Sequence, residues 1–540
     1  MFSSEPLAGI SAMSVYLPRF RVCLEEWCDW TGNNWNKVQA VVGHSFRVFG
    51  DHENVYTMAA NAVLRLIQQN QIDPQSIGFL GFGTESSRDN SAGAVIIRGM
   101  VDRALEDLGL PRLSRNLEIP EFKHACLGGI YALKNAVRYV SFDGQGRKAI
   151  VVASDVAQYE RGSSGEQTQG AGAVAMLVED RARLLGIDLR RAGSVSDYRG
   201  PDFRKPLNRY LNGYHGIRGL NGSHGINGSN GSNGSHGTNG SNGSNGSHGL
   251  NGSNGINGSN GSNGKRIRFS DFPVFSGKYS TFAYIDETVH AVEEMLRRME
   301  VSAGKYYESV QGLFFHRPYH QMPIQAMSFL YVRGLARGNH HHGELRDLCL
   351  EAGVSCQQLV NEARSVPDLY ASVVSSQEQL ADPYKATSAV AAVLRKRSSF
   401  RALLEAKMSL GSKTMTHMGN LYTAALPAWL AAGLEEAVQN GVELEDAPMV
   451  AVGYGSGDAA EAIPIRAPKG WQQAASRIGI EAALAAPIDL TRAQYEALHD
   501  GYALSEILYS PKREFVITHV GDRYEKGFQD LAMEYYKYIS

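Results

Sequence analysis

A cysteine followed by two small residues stands in Lys123-His-Ala-Cys126-Leu-Gly-Gly129, directly ahead of a stretch whose Ile130, Leu133, Ala136, Val137 and Val140 share one helical face. A thiol at a helix N-terminus feels the positive end of the macrodipole, which favours the thiolate that attacks a thioester. Gly128 and Gly129 remove bulk, so a substrate carbonyl can approach and backbone N–H groups can face its oxygen. Read locally, the stretch suits a structural cysteine at a close helix contact equally well. Glu85, in Gly83-Thr-Glu85-Ser-Ser, follows a buried apolar run, a place where loops carry function; read alone it is a neighbour of a helix cap. His316 ends the run Phe314-Phe-His316-Arg-Pro-Tyr319 and by itself reads as a satisfied core histidine. Asp155 and Tyr159 follow another apolar run. The glycine-rich turn at 165–175 lacks the lysine and the spacing of a nucleotide loop.

The elements that must position these groups alternate between two periodicities. Strands are predicted at 77–82, 148–154, 171–178, 312–315 and 449–454, with helices at 92–108, after Cys126, and from Asn420 to Leu430. Strands alternating with helices imply an α/β fold with both sheet faces covered. The region 333–401 reads as helical and charged. A low-complexity segment of Asn, Gly, Ser and His, taken as residues 206–266, separates a first half (1–205) from a second (267–540) with similar rhythm. That segment has little to bury and a high entropy cost to order, so a flexible insertion is expected, and its regular His224, His236 and His248 read as a drifted tandem repeat.

Composition narrows the function. A net charge of -2 gives no reason to expect nucleic acid or an anionic membrane as partner. No apolar run approaches a membrane span, and the first residues lack a secretory pattern, so a cytoplasmic protein is expected. Five cysteines at irregular positions make no disulfide framework, and no Cys/His spacing suggests a metal site.

Taken in order, the segments resemble the hydroxymethylglutaryl-CoA (HMG-CoA) synthase family of the thiolase superfamily, in its bacterial form. The pieces are GTES around Glu85, ACLGG around Cys126, VVASDVAQY ending at Tyr159, and GEQTQGAGAVAM at 165–176. FPVFSGKYS at 272–280, FHRPYH at 315–320, GNLYTAAL at 419–426 and YGSG at 454–457 follow. The resemblance implies a thiolase-like fold of two similar αβαβα halves and a homodimer. It implies a catalytic set of Cys126, Glu85 and His316 that joins acetyl-CoA to acetoacetyl-CoA through an acetyl-cysteine, with no cofactor. It also implies substrate-binding positions at Asn420, Ser456, Tyr159, Asp155 and Asp202. Leu127 replaces the aromatic residue common after the family's cysteine, and Tyr319-His320-Gln321 lacks the lysine common near the CoA tail. These departures raise the alternative of a relative that acts on acyl carrier proteins in polyketide β-branching. Glu85 argues against a ketosynthase, and the presence of both Cys126 and Glu85 against a non-catalytic scaffold.

Overall fold

The computed structural model describes residues 7–202, 272–338, 342–371 and 382–540, apart from positions 145, 505 and 507. The Asn/Gly/Ser insertion and its three histidines lie outside the described residues. The parts of the chain on either side of it form one compact unit.

Ten strands build the main sheet: β1 (Gly9–Tyr16), β2 (Ile77–Gly83), β3 (Glu121–Phe122), β4 (Lys148–Ala157), β5 (Gly170–Glu179), β6 (Leu185–Ile187), β7 (Gly193–Ser196), β8 (Gly312–Phe315), β9 (Met449–Gly455) and β10 (Ala459–Arg466). Their order is β8-β9-β10-β6-β1-β5-β4-β2-β3, with β7 beside β10. Six helices matter for the site: α1 (Val55–Gln69), α2 (Gly93–Asp107), α3 (Gly128–Ser141), α4 (Lys278–Met299), α5 (Gln321–Arg337) and α6 (Ala425–Gln439). Strands β2 and β9 are buried along their whole length, as expected where helices cover both faces.

The same unit occurs twice. β2 pairs parallel with β4, which pairs antiparallel with β5; β8 pairs parallel with β9, which pairs antiparallel with β10. Helix α3 leads into β4, and α6 leads into β9. Residues that follow β2 and β8 therefore occupy matching places, as do residues that precede α3 and α6.

Helices α1 and α2 pack on one face of the first unit through Met58, Val63, Ile97 and Val101. Helix α3 covers the opposite face with Ile130, Leu133 and Val137, and also reaches the second unit. Buried Lys134 of α3 pairs with Glu461 of β10 at 2.6 Å, and a Cβ on Gly453 of β9 would sit 2.7 Å from Leu127. The amphipathic pattern after Cys126 thus marks a helix enclosed between two sheet surfaces.

The helix predicted from Asn420 begins later. A single 3-10 turn at Tyr422–Ala424 comes first, and Gly419 and Tyr422 have φ of 77° and 46°, which no α-helix accommodates. Pro427 is tolerated because it falls in the first turn of α6, where its missing N–H has no partner to lose. The region 333–401 is helical where described. Among the described residues, no helix is long and apolar enough to cross a membrane.

Close backbone contact joins β2 to α3. A Cβ on Gly83 would lie 2.4 Å from the Cα of Gly129. Gly83→Ala is therefore expected to lower unfolding free energy by about 1–3 kcal/mol in denaturant titration, because neither backbone can yield; an unchanged midpoint would contradict this packing.

Candidate active site

Cys126 sits on a tight turn between β3 and α3. Ala125 holds φ of 40°, and Leu127 donates its N–H to the His124 carbonyl at 2.9 Å, so the chain reverses sharply at the cysteine. Gly128 and Gly129 let this turn lie against neighbouring backbone: a Cβ on Gly129 would be 2.8 Å from the Thr423 carbonyl oxygen. The Cys126 thiol donates to Glu85 Oε2 at 3.4 Å, from the loop that follows β2. His316 comes in from the end of β8, its N–H donating to Val452 O at 2.6 Å and its carbonyl accepting from the Tyr284 hydroxyl at 2.8 Å. The imidazole is 2% exposed, and its Nδ1 has no hydrogen-bond partner among the described residues.

A cavity of about 520 Å³ opens onto Cys126 and His316 and is also lined by Tyr159, Asn420 and Ser456, among others, while Glu85 reaches the thiol without lining it. Asn420 is held by backbone: its N–H donates to Thr168 O at 3.1 Å, and its side-chain oxygen accepts from Tyr422 N–H at 2.9 Å. The ring of Tyr159 meets Tyr422 edge-on, 6.3 Å between centroids, beside the thiol.

Asp155 and Asp202, grouped with the substrate-binding residues from the sequence, stand behind the wall rather than on it. Asp155 is fully buried. Its Oδ1 accepts from Thr84 Oγ1 (2.9 Å), Glu85 N–H (2.8 Å), Ser86 N–H (2.9 Å) and Ser86 Oγ (2.6 Å). Its Oδ2 accepts from Thr423 N–H (3.0 Å) and Thr423 Oγ1 (2.5 Å). Burial pushes this carboxyl up, and the donors pull it back. Asp202 accepts from the Tyr454 hydroxyl at 2.8 Å.

The electrostatics differ from the expected helix-terminal activation. Burial pushes the Cys126 thiol well above its ordinary value, and Glu85, Asp155 and Asp202 add to the effect. Desolvation and neighbouring carboxylates outweigh the dipole of α3, so the sulfur is a neutral thiol at rest. The thiol proton faces an acceptor in Glu85. His316 is driven by burial down to about 3 and is a neutral imidazole at physiological pH. It can donate a hydrogen bond without adding charge.

Several contributors escaped the sequence reading. Thr423 was unmarked, although its hydroxyl and N–H close the Asp155 cluster. Lys278 and Ser280 line the cavity from the start of α4, and Tyr319, Met322 and Gln325 line it near the start of α5. Gln321 does not line it: its side chain donates to Ala40 O at 3.0 Å. Arg317, next to His316, points away and lies over Trp429 at 5.0 Å. Among the described residues, no group of three His, Cys, Asp or Glu is arranged to hold a metal ion.

The family model described as hydroxymethylglutaryl-coenzyme A synthase N terminal matches residues 6–183. The hydroxymethylglutaryl-CoA synthase of Haloferax volcanii is 24% identical over 533 residues, covering 96% of this chain and 98% of that protein. That of Mycosarcoma maydis is 37% identical over 200 residues, covering 37% of this chain and 41% of that protein. Among solved structures, MvaS in complex with 3-hydroxy-3-methylglutaryl coenzyme A has a TM-score of 0.69 at 22% identity, covering 99% of this chain and 100% of that one. The HMG synthase of the curacin biosynthetic pathway, in complex with acetyl donor-ACP, has a TM-score of 0.64 at 19% identity with the same coverage. A collagen triple helix repeat model matches residues 211–267, where glycine recurs at every third position without a proline.

Fold and likeness set the class first: this is a protein of thiolase-like fold. Through residues 6–183 the chain is similar to the hydroxymethylglutaryl-CoA synthase family.

The depressed His316 value carries a signed consequence. The unfolded imidazole takes up a proton near 6.5, the folded one near about 3. Between those values the unfolded state binds more protons, so stability falls as pH falls through that window. His316→Asn removes this contribution, and its unfolding midpoint should depend less steeply on pH there; parallel pH profiles for the two proteins would show that His316 is not buried neutral.

Asp155→Asn replaces an acceptor by an NH₂ group facing either Thr423 N–H or the Glu85 and Ser86 N–H groups. A loss of about 1–3 kcal/mol is expected in equilibrium unfolding, because buried donors lose their partner.

Proposed function

We propose that this protein joins an acetyl thioester to the ketone of a β-ketoacyl thioester, acting as a hydroxymethylglutaryl-CoA synthase on acetyl-CoA and acetoacetyl-CoA. The observation that carries this reading is the meeting of Cys126 and His316 on one cavity, with Glu85 bonded to the thiol.

In the proposed sequence Glu85 accepts the thiol proton as Cys126 sulfur attacks acetyl-CoA. The tetrahedral intermediate collapses to acetyl-Cys126 and CoA thiolate, which leaves as the thiol after taking a proton. One thioester replaces another, so the exchange is nearly isoenergetic. Acetoacetyl-CoA then enters, its ketone oxygen accepting a hydrogen bond from neutral His316. Glu85, ionised again, removes a proton from the acetyl methyl. The resulting carbanion attacks the ketone carbon, and the new alkoxide takes up a proton. Water cleaves the Cys126 thioester, releasing HMG-CoA and restoring the thiol. A neutral imidazole suits this role, because it donates a hydrogen bond to the ketone oxygen without placing a charge in the cavity wall. Asn420, Ser456 and Tyr159 complete the pocket, and Asp155 and Asp202 support it from behind. No cofactor enters the scheme. The same proposal makes the protein a cytoplasmic homodimer that supplies the mevalonate route to isoprenoids.

A second reading places the acyl groups on carrier proteins, in polyketide β-branching. The engagement of Gln321 with Ala40 favours it, since the position expected to offer a cation to CoA instead fastens a helix. The donor-ACP complex of the curacin enzyme shows that a relative of this fold meets such a carrier.

Purified protein offered acetyl-CoA with acetoacetyl-CoA, and separately the carrier-bound equivalents, separates the readings. Release of free CoA with HMG-CoA is expected; turnover confined to carrier-bound substrates would transfer the assignment to the second. In Glu85→Ala, mass spectrometry should still find acetylated Cys126 on long incubation. Condensation should fall by about 10²–10⁴-fold, the worth of a positioned base. Condensation at the unmodified rate would remove Glu85 from the scheme.

A further inference from the structure

Behind the His316 side of the cavity lies a cluster of acids that the scheme above leaves unused. Tyr454 lines the cavity, and its ring lies against that of His316, with centroids 6.3 Å apart and planes at 29°. Its hydroxyl is 2.8 Å from Asp202 Oδ2 and 3.1 Å from Asp458 Oδ2. All three side chains are buried. A phenol has one hydrogen, and an ionised carboxylate only accepts. Two carboxyl oxygens can both bond this hydroxyl only if one carboxyl carries a proton and donates to the phenol oxygen.

The surrounding charges indicate which one. Arg199 is fully buried. It pairs with Asp197 at 2.5 Å, and on α4 with Asp286 at 2.5 Å and Glu287 at 3.1 Å. Asp458 Oδ1 comes last, 3.7 Å from Arg199 Nε, and neither atom has a hydrogen-bond partner among the described residues. His290 lies 3.4 Å from Asp286, and the Tyr384 hydroxyl donates to Asp286 as well. Tyr279 also stands within the field of Arg199, Asp197, Asp202 and Asp458. Buried Asp202, Asp286, Glu287 and Asp458 outnumber the guanidiniums that act on them, Arg199 and, at Asp286, Arg333, so they cannot all be ionised at once. The shorter Tyr454 contact, to Asp202, is the length expected for donation to an anion. Burial pushes the Asp458 carboxyl up to about 9, with Glu287 and Asp202 adding to it against Arg199.

We propose that Asp458 is protonated and donates to the Tyr454 oxygen while Tyr454 donates to Asp202, so that Asp458 is a positioning residue fixing Tyr454 and, through the ring contact, the plane of His316. Only the link to His316 rests on the function proposed above; the protonation stands on the cluster itself.

Two infrared measurements test the protonation without any turnover. A difference spectrum of the full-length protein against Asp458→Asn at neutral pH should contain a protonated-carboxyl C=O band. Bands of an ionised carboxylate alone would overturn the proposal. In Tyr454→Phe that band should move to higher frequency as the acceptor disappears, and an unmoved band would rule out donation to Tyr454. Thermal unfolding of both variants establishes that they fold, and the second serves if the first does not.

With active enzyme, Asp458→Ala should lower kcat by about 10–100-fold with little change in KM, the scale of a displaced catalytic group. Asp458→Asn, whose amide can still donate to Tyr454, should restore it. The alkaline fall of kcat should move to higher pH in Asp458→Asn, because the titrating donor is gone; an unmoved limb would refute the positioning role. Absence of turnover with every thioester would count against the proposed function and leave the infrared result standing.

Discussion

The site depends on one buried carboxylate. Asp155 gathers the Thr84, Glu85 and Ser86 segment with one oxygen and Thr423 with the other. Placing an anion in a dry interior is costly unless donors replace its lost hydration, and here six hydrogen bonds do so. The segments that supply those donors are thereby fixed relative to β4. Since Glu85 follows β2 and Asn420 lies just ahead of Thr423, the base and one wall of the cavity take their positions from the same side chain. Removing the carboxylate would therefore disturb chemistry and fold together.

Duplication explains why the chemical groups meet. Glu85 follows β2 as His316 follows β8, and Cys126 precedes α3 as Asn420 precedes α6. In each unit the parallel strand pair directs its strand ends to the same side, where loops carry function. Helix α3 is enclosed between the two units, and the Lys134–Glu461 pair ties it to the second. Cys126 and Glu85 thus come from one unit, and His316 from the other. Glycines make this approach possible, since Gly83 and Gly129 touch with almost no room for a side chain.

The charge state of the cavity follows from burial more than from helix dipoles. Cys126 is held as a thiol and His316 as a neutral imidazole, while carboxyls collect behind the wall. A resting thiolate beside Glu85 would be a second buried anion within hydrogen-bond distance. A thiol that donates to the carboxylate avoids that cost.

The sequence by itself determined the strand–helix alternation and the place of the low-complexity insertion, and it singled out the groups proposed to react. These rest on local periodicity, composition and ordered motifs, which require no knowledge of what touches what. Cys126, Glu85 and His316 were singled out by the ordered motifs of the resemblance, since each read alone suits a structural role equally well or better. The parts played by Thr423, within GNLYTAAL, and by Asp458 were not legible, because they depend on Asp155 and on Asp202 and Arg199, far away in the chain. Tertiary structure alone decided that Asp155 and Asp202 stand behind the cavity and that Gln321 bonds a neighbouring helix. It also reversed the expected sign of the Cys126 shift: the dipole is a local property of α3, whereas desolvation comes from every element that closes over the sulfur.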